Sequence, residues 1–273
     1  TTGSSMRILT WNLWWTFGPW KERQQAIRSV LAQQNADVLF LQETIPAENQ
    51  AGSIAQFLGF HAQESASSDP GEAKGRSQAM CNAIVSRWPI VGSSRVLLPS
   101  APGRPRVRTV LMCHLDTPWG IWPMATTHLD HSFDGSSVRL EQVDALADMV
   151  HDELKVVDSG LPVIIGGDFN AVPDSDEIRR LTGRTTVRHS NLVFADMWEL
   201  RGEGHGRTWD ASNPYLKDAN WPNRRIDYLF VTWPRRKPAG HPSRVWLAGH
   251  EAVDGVMASD HYAVVADVRV PEE

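Results

Sequence analysis

The sequence predicts one α/β (α+β) domain built as two stacked, mainly antiparallel sheets flanked by helices. Three observations carry that expectation. Strand-like runs recur along the chain at spacings suited to antiparallel pairing, only a few helical stretches interrupt them, and no internal repeat or linker-like break divides the 273 residues. A chain of this length can bury a substantial core, and 41% apolar with 22% charged residues is the balance of a globular protein. The domain is expected over residues 6–273, with residues 1–5 reading as a cloning remnant ahead of Met6.

Residues 7–11 alternate and are rich in β-formers, which gives a first strand ending at Trp11-Asn12. Residues 21–34 place Ala26, Ile27, Val30 and Leu31 at helical spacing. The continuous apolar run at 37–41 marks a buried central strand that delivers Gln42-Glu43 at its end. A short helix is expected at 54–58 and an exposed loop, rich in Gly, Ser, Pro and charge, at 65–77. Strands follow at 80–86, 95–98, 107–116 and 121–127. Residues 138–157 form the clearest amphipathic helix, with Val138, Val143, Leu146, Met149, Val150 and Leu154 on one stripe. A second buried strand covers 161–166, a helix covers 174–181, and 184–221 reads as mixed short strands and turns. Strands at 226–232, 245–247 and 263–270 complete the chain.

With 27 Lys+Arg against 32 Asp+Glu the net charge is −5, which disfavours a protein that grips long duplexes mainly through basic surface. Local arginine clusters can still serve a nuclease. No apolar stretch approaches the roughly 18 residues a membrane-spanning helix needs, and no secretory signal pattern is present, so a cytoplasmic monomer is expected if Met6 is the start. Two cysteines cannot build a disulfide framework; Cys81 and Cys113 lie in apolar runs and read as buried thiols. One cross-strand bridge or a reactive thiol are the alternatives.

Acidic and amide residues recur where apolar strands end. Asn12 follows the first strand and Glu43 the second; His128 closes the strand at 121–127, Asp168 and Asn170 follow 161–166, Asp227 sits at 226–232, and Asp260-His261 precedes the last strand. Strand ends on one sheet edge gather around one cleft. Carboxylates gathered there repel one another unless a cation or a shared proton offsets the charge. A hard divalent cation with oxygen ligands, Mg²⁺ or Mn²⁺, answers that need, and no paired histidines at zinc-like spacing compete with it. In Gly166-Gly167-Asp168-Phe169-Asn170 the glycines allow a tight turn and close ligand approach. Asp168 can then orient or deprotonate water, and Asn170 can donate to a phosphate oxygen.

Taken together, the stretches Thr10-Trp11-Asn12, Leu41-Gln42-Glu43, Cys81-Asn82-Ala83-Ile84-Val85-Ser86-Arg87, Thr127-His128-Leu129-Asp130-His131, Gly167-Asp168-Phe169-Asn170, Arg225-Ile226-Asp227-Tyr228 and Ser259-Asp260-His261 resemble the endonuclease/exonuclease/phosphatase superfamily. Each is weak alone; seven in the family's order, spanning Arg7 to Val270, are specific. The resemblance implies a four-layer αββα sandwich and a metal-dependent phosphoesterase. It implies Glu43 as main metal ligand, with Asn12 and Asp260 near the metal or its waters. His261 would face the scissile phosphate with Asp227 holding its ring through the other nitrogen. Asp168 would orient the attacking water, and Asn170 and His128 would bind phosphate oxygens, with Asn82 and Arg139 as looser matches in support.

Within that superfamily, the chain lacks the mid-chain Tyr and the acidic residue after the first-strand Asn that abasic-site endonucleases carry. Its Thr-His-Leu motif resembles the branch of sphingomyelinases, pancreatic-type deoxyribonucleases and small phosphodiesterases, and no long lipid-insertion hairpin is evident. The expected activity is hydrolysis of a phosphodiester or phosphomonoester, with a small molecule or a nucleic acid as substrate. A nuclease on DNA or RNA is the alternative, and a non-catalytic binding module on the same scaffold is the rival from another class. Trp14, Trp15, Trp20, Trp209 and Trp221 are candidates to stack on a base or flat group. Arg104, Arg106 and Arg108, alternating as on a strand, are candidates to bind phosphate.

Overall fold

The computed structural model describes residues 5–66, 80–157 and 159–272. In chain order its elements are β1 (Ser5–Asn12), α1 (Trp20–Gln34), β2 (Val38–Thr44), α2 (Gln50–Leu58), β3 (His61–Glu64), β4 (Cys81–Ser86), β5 (Ile90–Leu97), β6 (Thr109–Thr117), β7 (Gly120–His128), α3 (Ser136–Val156), β8 (Ile164–Asp168), α4 (Asp176–Leu181), β9 (Val193–Asp196), α5 (Met197–Arg201), β10 (Asp227–Trp233), β11 (Pro242–Ala248) and β12 (Ala263–Arg269). They form two six-stranded sheets, ordered β11-β12-β1-β2-β4-β3 and β5-β6-β7-β8-β10-β9. Among the described residues only β1–β2 and β7–β8 pair in parallel, each across a helix, α1 and α3; the other ladders are antiparallel.

Strand alternation explains the layering. On β1, Met6 and Ile8 face the second sheet while Leu9 and Trp11 face α1 and α2; on β2, Val38 and Phe40 face inward while Leu39 and Leu41 face outward. Leu111, Cys113, Met124 and Ile164 meet the first sheet from the other side, and Val110, Met112, Ala125 and Ile165 turn out toward α3 and α4. Helix, sheet, sheet and helix are therefore stacked in four layers, because each central strand is apolar on both faces.

The glycines before Asp168 serve this stacking, and no turn. Both lie inside β8, paired with Thr126 and Thr127 of β7. A Cβ on Gly166 would lie 2.6 Å from the Phe40 ring of the facing sheet, and one on Gly167 would lie 2.4 Å from the Thr127 carbonyl oxygen. The expected strand at 161–166 thus ends later, and Asp168 is its last residue. The positive-φ residue that turns the chain is Asn170, at φ 48°.

Other boundaries differ for physical reasons. Ser5 pairs with Arg269, so β1 begins within the stretch read as a remnant; Thr1–Ser4 lie outside the described residues. Of the loop expected at 65–77, Ser65 is buried and bonded to Asn82, and 67–77 lie outside the described residues. Residues 101–108 form a turn and coil before β6, so Arg104, Arg106 and Arg108 share no strand face, and Arg104 and Arg106 are exposed. β3, β9 and α5, at four or five residues each, are too short to show a period. Cys81 and Cys113 are buried and free, and burial pushes their thiols up to about 11 and about 12. Among the described residues no helix is long and apolar enough to cross a membrane.

Candidate active site

Parallel pairing brings strand ends to one edge. Asn12 lies opposite Gln42, placing Glu43 just beyond it, and His128 lies opposite Asp168. Antiparallel β10 sets its first residue, Asp227, against Asp168, and Asp260-His261 enters β12 beside β1. Trp11 fixes that last segment by donating its indole N–H to the His261 carbonyl at 2.9 Å. Asn12, Asp168, Asp227, His128, Asp260 and His261 are all buried, and Glu43, His128, Asp168, Asn170, Asp260 and His261 line one cleft.

Asp168 is the hub. Its Oδ2 accepts from Asn12 Nδ2 at 2.9 Å and lies 3.4 Å from His128 Nε2 and 3.7 Å from His261 Nε2. Its Oδ1 accepts from the Asn170 amide at 2.9 Å. His261 Nδ1 donates to Asp227 Oδ2 at 2.9 Å, and the Thr208 hydroxyl donates to the same oxygen at 2.5 Å. Arg225 pairs with Asp196 at 2.7 Å, leaving Asp227 to the histidine.

Glu43 has φ 52°, and Trp14 and Trp15 of the neighbouring turn have φ 61° and 37°. Left-handed backbone at non-glycine residues costs about 1–3 kcal/mol and persists only where the surroundings impose it. At Trp14 and Trp15 it is Arg23 that imposes it, and the Trp15 amide in turn donates to the Glu43 carbonyl at 3.0 Å. The buried Arg23 guanidinium donates to the carbonyls of Leu13, Trp14, Trp15, Phe17 and Ala258, tying the turn after Asn12 to the segment before Asp260.

Burial and like charge push the acids up. The Glu43 carboxyl rises to about 7 through desolvation and then Asp260. Asp168 rises to about 6 through desolvation and Asp227, and burial likewise raises Asp260. Burial pulls His261 down, but Asp227, Asp260 and Asp168 outweigh it and hold the imidazole well above its ordinary range. Burial and then the Arg108 charge keep His128 well below its ordinary range, hence neutral.

This donor set fits a divalent cation. Glu43 Oε2, Asp260 Oδ1 and Asp227 Oδ1 are buried with no hydrogen-bond partner among the described residues. An unpaired buried carboxylate oxygen is costly unless a cation or proton meets it. Asp168, Asp227 and His261 also bring ligand atoms within 4.8 Å of one another.

Three sequence expectations need adjustment. Asn82 lines a small neighbouring cavity that reaches the site at His128, and its Nδ2 is bonded to the Thr109 carbonyl and hydroxyl at 3.2 and 3.3 Å. Arg139 pairs with Glu177 at 2.7 Å and donates to the Asp130 and Ser132 carbonyls, so it pins the loop after His128. Trp14 is packed on Tyr215, with ring centroids 4.5 Å apart, and beneath Arg23, while Trp20 lines a separate cavity with Gln24 and Ile54. Sequence reasoning passed over Thr208 and Arg23, and gave no role to Ser259, whose hydroxyl donates to the Asn12 carbonyl at 2.6 Å. Thr208 lies in a stretch without periodicity, and the value of Arg23 is its reach to five carbonyls, which no motif records.

Residues 9–261 match the model of the Endonuclease/Exonuclease/phosphatase family, and the chain belongs to that family. It is 29% identical over 277 residues to tyrosyl-DNA phosphodiesterase 2 of Gallus gallus, covering 96% of this chain and 66% of the relative. It is 26% identical over 278 residues to that of Homo sapiens, covering 98% and 69%. The chain thus spans about two thirds of the length of these curated relatives. The crystal structure of D. rerio TDP2 complexed with a single strand DNA product superposes with TM-score 0.75 at 23% identity, covering 97% of this chain and 98% of that one. An endonuclease/exonuclease/phosphatase family protein from Bacteroides thetaiotaomicron gives 0.75 at 18%, covering 100% of both chains. These structural likenesses establish the fold.

Proposed function

We propose that this chain is a divalent-metal-dependent phosphodiesterase, using Mg²⁺ or Mn²⁺, that hydrolyses a diester joining tyrosine to a DNA end. The observation that carries the reading is the single buried pit in which Glu43 and Asp260 present unpartnered oxygens beside the Asp168, His128 and His261 cluster. The substrate class follows the name of the relatives. Glu43 and Asp260, with Asn12 alongside, would hold the cation, an all-oxygen set suited to a hard ion. When bound, the cation polarises the phosphoryl group and neutralises the charge that develops on its oxygens.

The chain's own groups divide the remaining work. Asp168 Oδ2, shared by Asn12 and two imidazoles, holds and orients the attacking water. His261, kept protonated by Asp227, and neutral His128 donate from Nε2 to non-bridging phosphate oxygens, with Asn170 beside them. Asn170 spends one amide hydrogen on the Leu129 carbonyl at 3.0 Å; an amide has a second to offer. Water forms a new P–O bond and passes its proton to Asp168 Oδ2 as the bond from phosphorus to the phenol oxygen breaks, the electron pair leaving with the phenolate. A tyrosine phenol, with an ordinary pKa of about 10, leaves without a strong acid beside it, whereas the sugar alkoxide of an ordinary nucleic-acid diester is a far poorer leaving group.

The test compares one oligonucleotide with and without tyrosine esterified to its terminal phosphate. The reading expects metal-dependent release of tyrosine, abolished by EDTA, with the plain oligonucleotide cut far more slowly. Equal cutting of both would favour the nuclease alternative, and no metal-dependent turnover of any diester would favour a binding module.

A further inference from the structure

The rim of the pit carries side chains that the proposed chemistry does not use. Phe133 and Trp221 are 44% and 59% exposed, although large rings ordinarily bury most of their surface. They meet edge to face with centroids 4.5 Å apart, and Trp209 lies 6.4 Å from Phe133. The Arg224 guanidinium sits 5.3 Å from the centre of the Phe133 ring. A backbone bridge between Trp209 and Arg224, with N–H to O distances of 3.1 and 2.9 Å, holds the group together. Phe133, Trp209 and Arg224 line the same cleft as Glu43, Asp168 and His261.

Arg224 differs from the arginines around it. Arg139, Arg180, Arg184, Arg188 and Arg225 each pair with a carboxylate at 2.6–3.0 Å. Among the described residues no carboxylate lies within ion-pair distance of Arg224, half-buried as it is, and its side-chain contact is the Phe133 ring. A cation left without a carboxylate partner at the mouth of an acidic pit, in a chain of net charge −5, is placed to receive an anion from outside. Flat rings beside it supply the other half of a nucleotide's chemistry, because every base has a face that stacks.

We propose that Phe133, Trp221 and Arg224 form a nucleotide subsite beside the pit, in which an unpaired base stacks on the exposed Trp221 ring, Phe133 braces that ring edge to face and carries Arg224 over its own face, and the guanidinium holds an adjoining backbone phosphate. The proposal deepens the reading of the chain as a DNA phosphodiesterase and rests on it for the identity of the strand. It selects a single-stranded end, since paired bases keep their faces in the duplex. A positive charge and π-faces together distinguish this surface from an apolar protein-docking patch, which would gain nothing from a guanidinium left without a carboxylate partner.

The test is fluorescence anisotropy of a labelled hexathymidylate with the full chain in the presence of Ca²⁺, across a salt series. Wild type binds. Trp221→Ala weakens binding about fivefold or more, the loss of one stacked base, with the salt dependence unchanged, and Phe133→Ala, which removes the brace, weakens it by a smaller factor. Arg224→Gln weakens binding and flattens the slope of log K against log salt by about 0.7, the release expected for one phosphate on a single strand. Absence of wild-type binding overturns the subsite, as do dissociation constants within twofold in Trp221→Ala and Arg224→Gln or an unaltered slope in Arg224→Gln. These positions lie outside the buried core, which an unshifted melting temperature verifies. A wild type that binds the oligonucleotide but cleaves no diester with Mg²⁺ or Mn²⁺ sinks the hydrolase reading while the subsite stands.

Discussion

Arg108 Nη1 lies 2.8 Å from His128 Nδ1. A guanidinium only donates, so Nδ1 accepts and the neutral ring carries its proton on Nε2, the nitrogen 3.4 Å from Asp168 Oδ2 and 3.9 Å from Glu43 Oε1. An arginine on a coil before β6 thereby fixes the tautomer of a histidine at the end of β7, with its one proton turned into the pit.

That tautomer is directly observable. Imidazole ¹⁵N shifts should show His128 as the Nε2–H form throughout pH 6–8, never as the imidazolium. In Arg108→Gln both tautomers should appear. A wild-type His128 that titrates near pH 6.5 would contradict the account.

The Asp227–His261 pair makes a kinetic prediction. Asp227→Asn can no longer hold the charged, Nδ1-protonated ring, and turnover should fall about 10³–10⁴-fold, as for other carboxylate–imidazole pairs. Excess Mg²⁺ or Mn²⁺ should not restore it. Activity within threefold of wild type would remove His261 from the mechanism.

Glu43 makes a stability prediction with a definite sign. In the metal-free protein its carboxyl sits at about 7 against an ordinary 4.5. The raised value means that the folded state binds this proton more tightly, so the stability it contributes is full below pH 4.5 and is lost as pH rises through 7. Glu43→Gln cannot ionise. Metal-free Glu43→Gln should therefore gain on wild type by about 3 kcal/mol between pH 4.5 and pH 8 in urea titrations. A difference that stays flat with pH would contradict the burial of this acid.

Thr208→Val removes the hydroxyl 2.5 Å from Asp227 Oδ2 while keeping the side chain's shape. A buried carboxylate deprived of a donor costs about 1–3 kcal/mol. The melting temperature should fall, and turnover should fall with it because Asp227 is less firmly held. An unchanged variant would place Thr208 outside the site.

Much of this was legible in the sequence, because two-faced apolar strands such as 37–41 announce central position, and polar residues at their ends announce a shared edge. Asn12, Glu43, His128, Asp168, Asn170, Asp227, Asp260 and His261 all meet there. What stayed illegible depends on distance in the chain. The reason for Gly166 is Phe40, 126 positions earlier and in the other sheet. The alternation of Arg104, Arg106 and Arg108 suggested a strand, but Pro105 lies between the first two and the segment stays coil. Arg23 on α1 gave no sign that it braces the turn that carries Trp14 and Trp15.

The most direct test of a cation in the pit is an anomalous difference map from crystals soaked in Mn²⁺. The account expects a peak about 2.0–2.6 Å from carboxylate oxygens of Glu43, and its loss in Glu43→Gln. Manganese bound elsewhere, with the Glu43 and Asp260 oxygens still facing no ion, would contradict it.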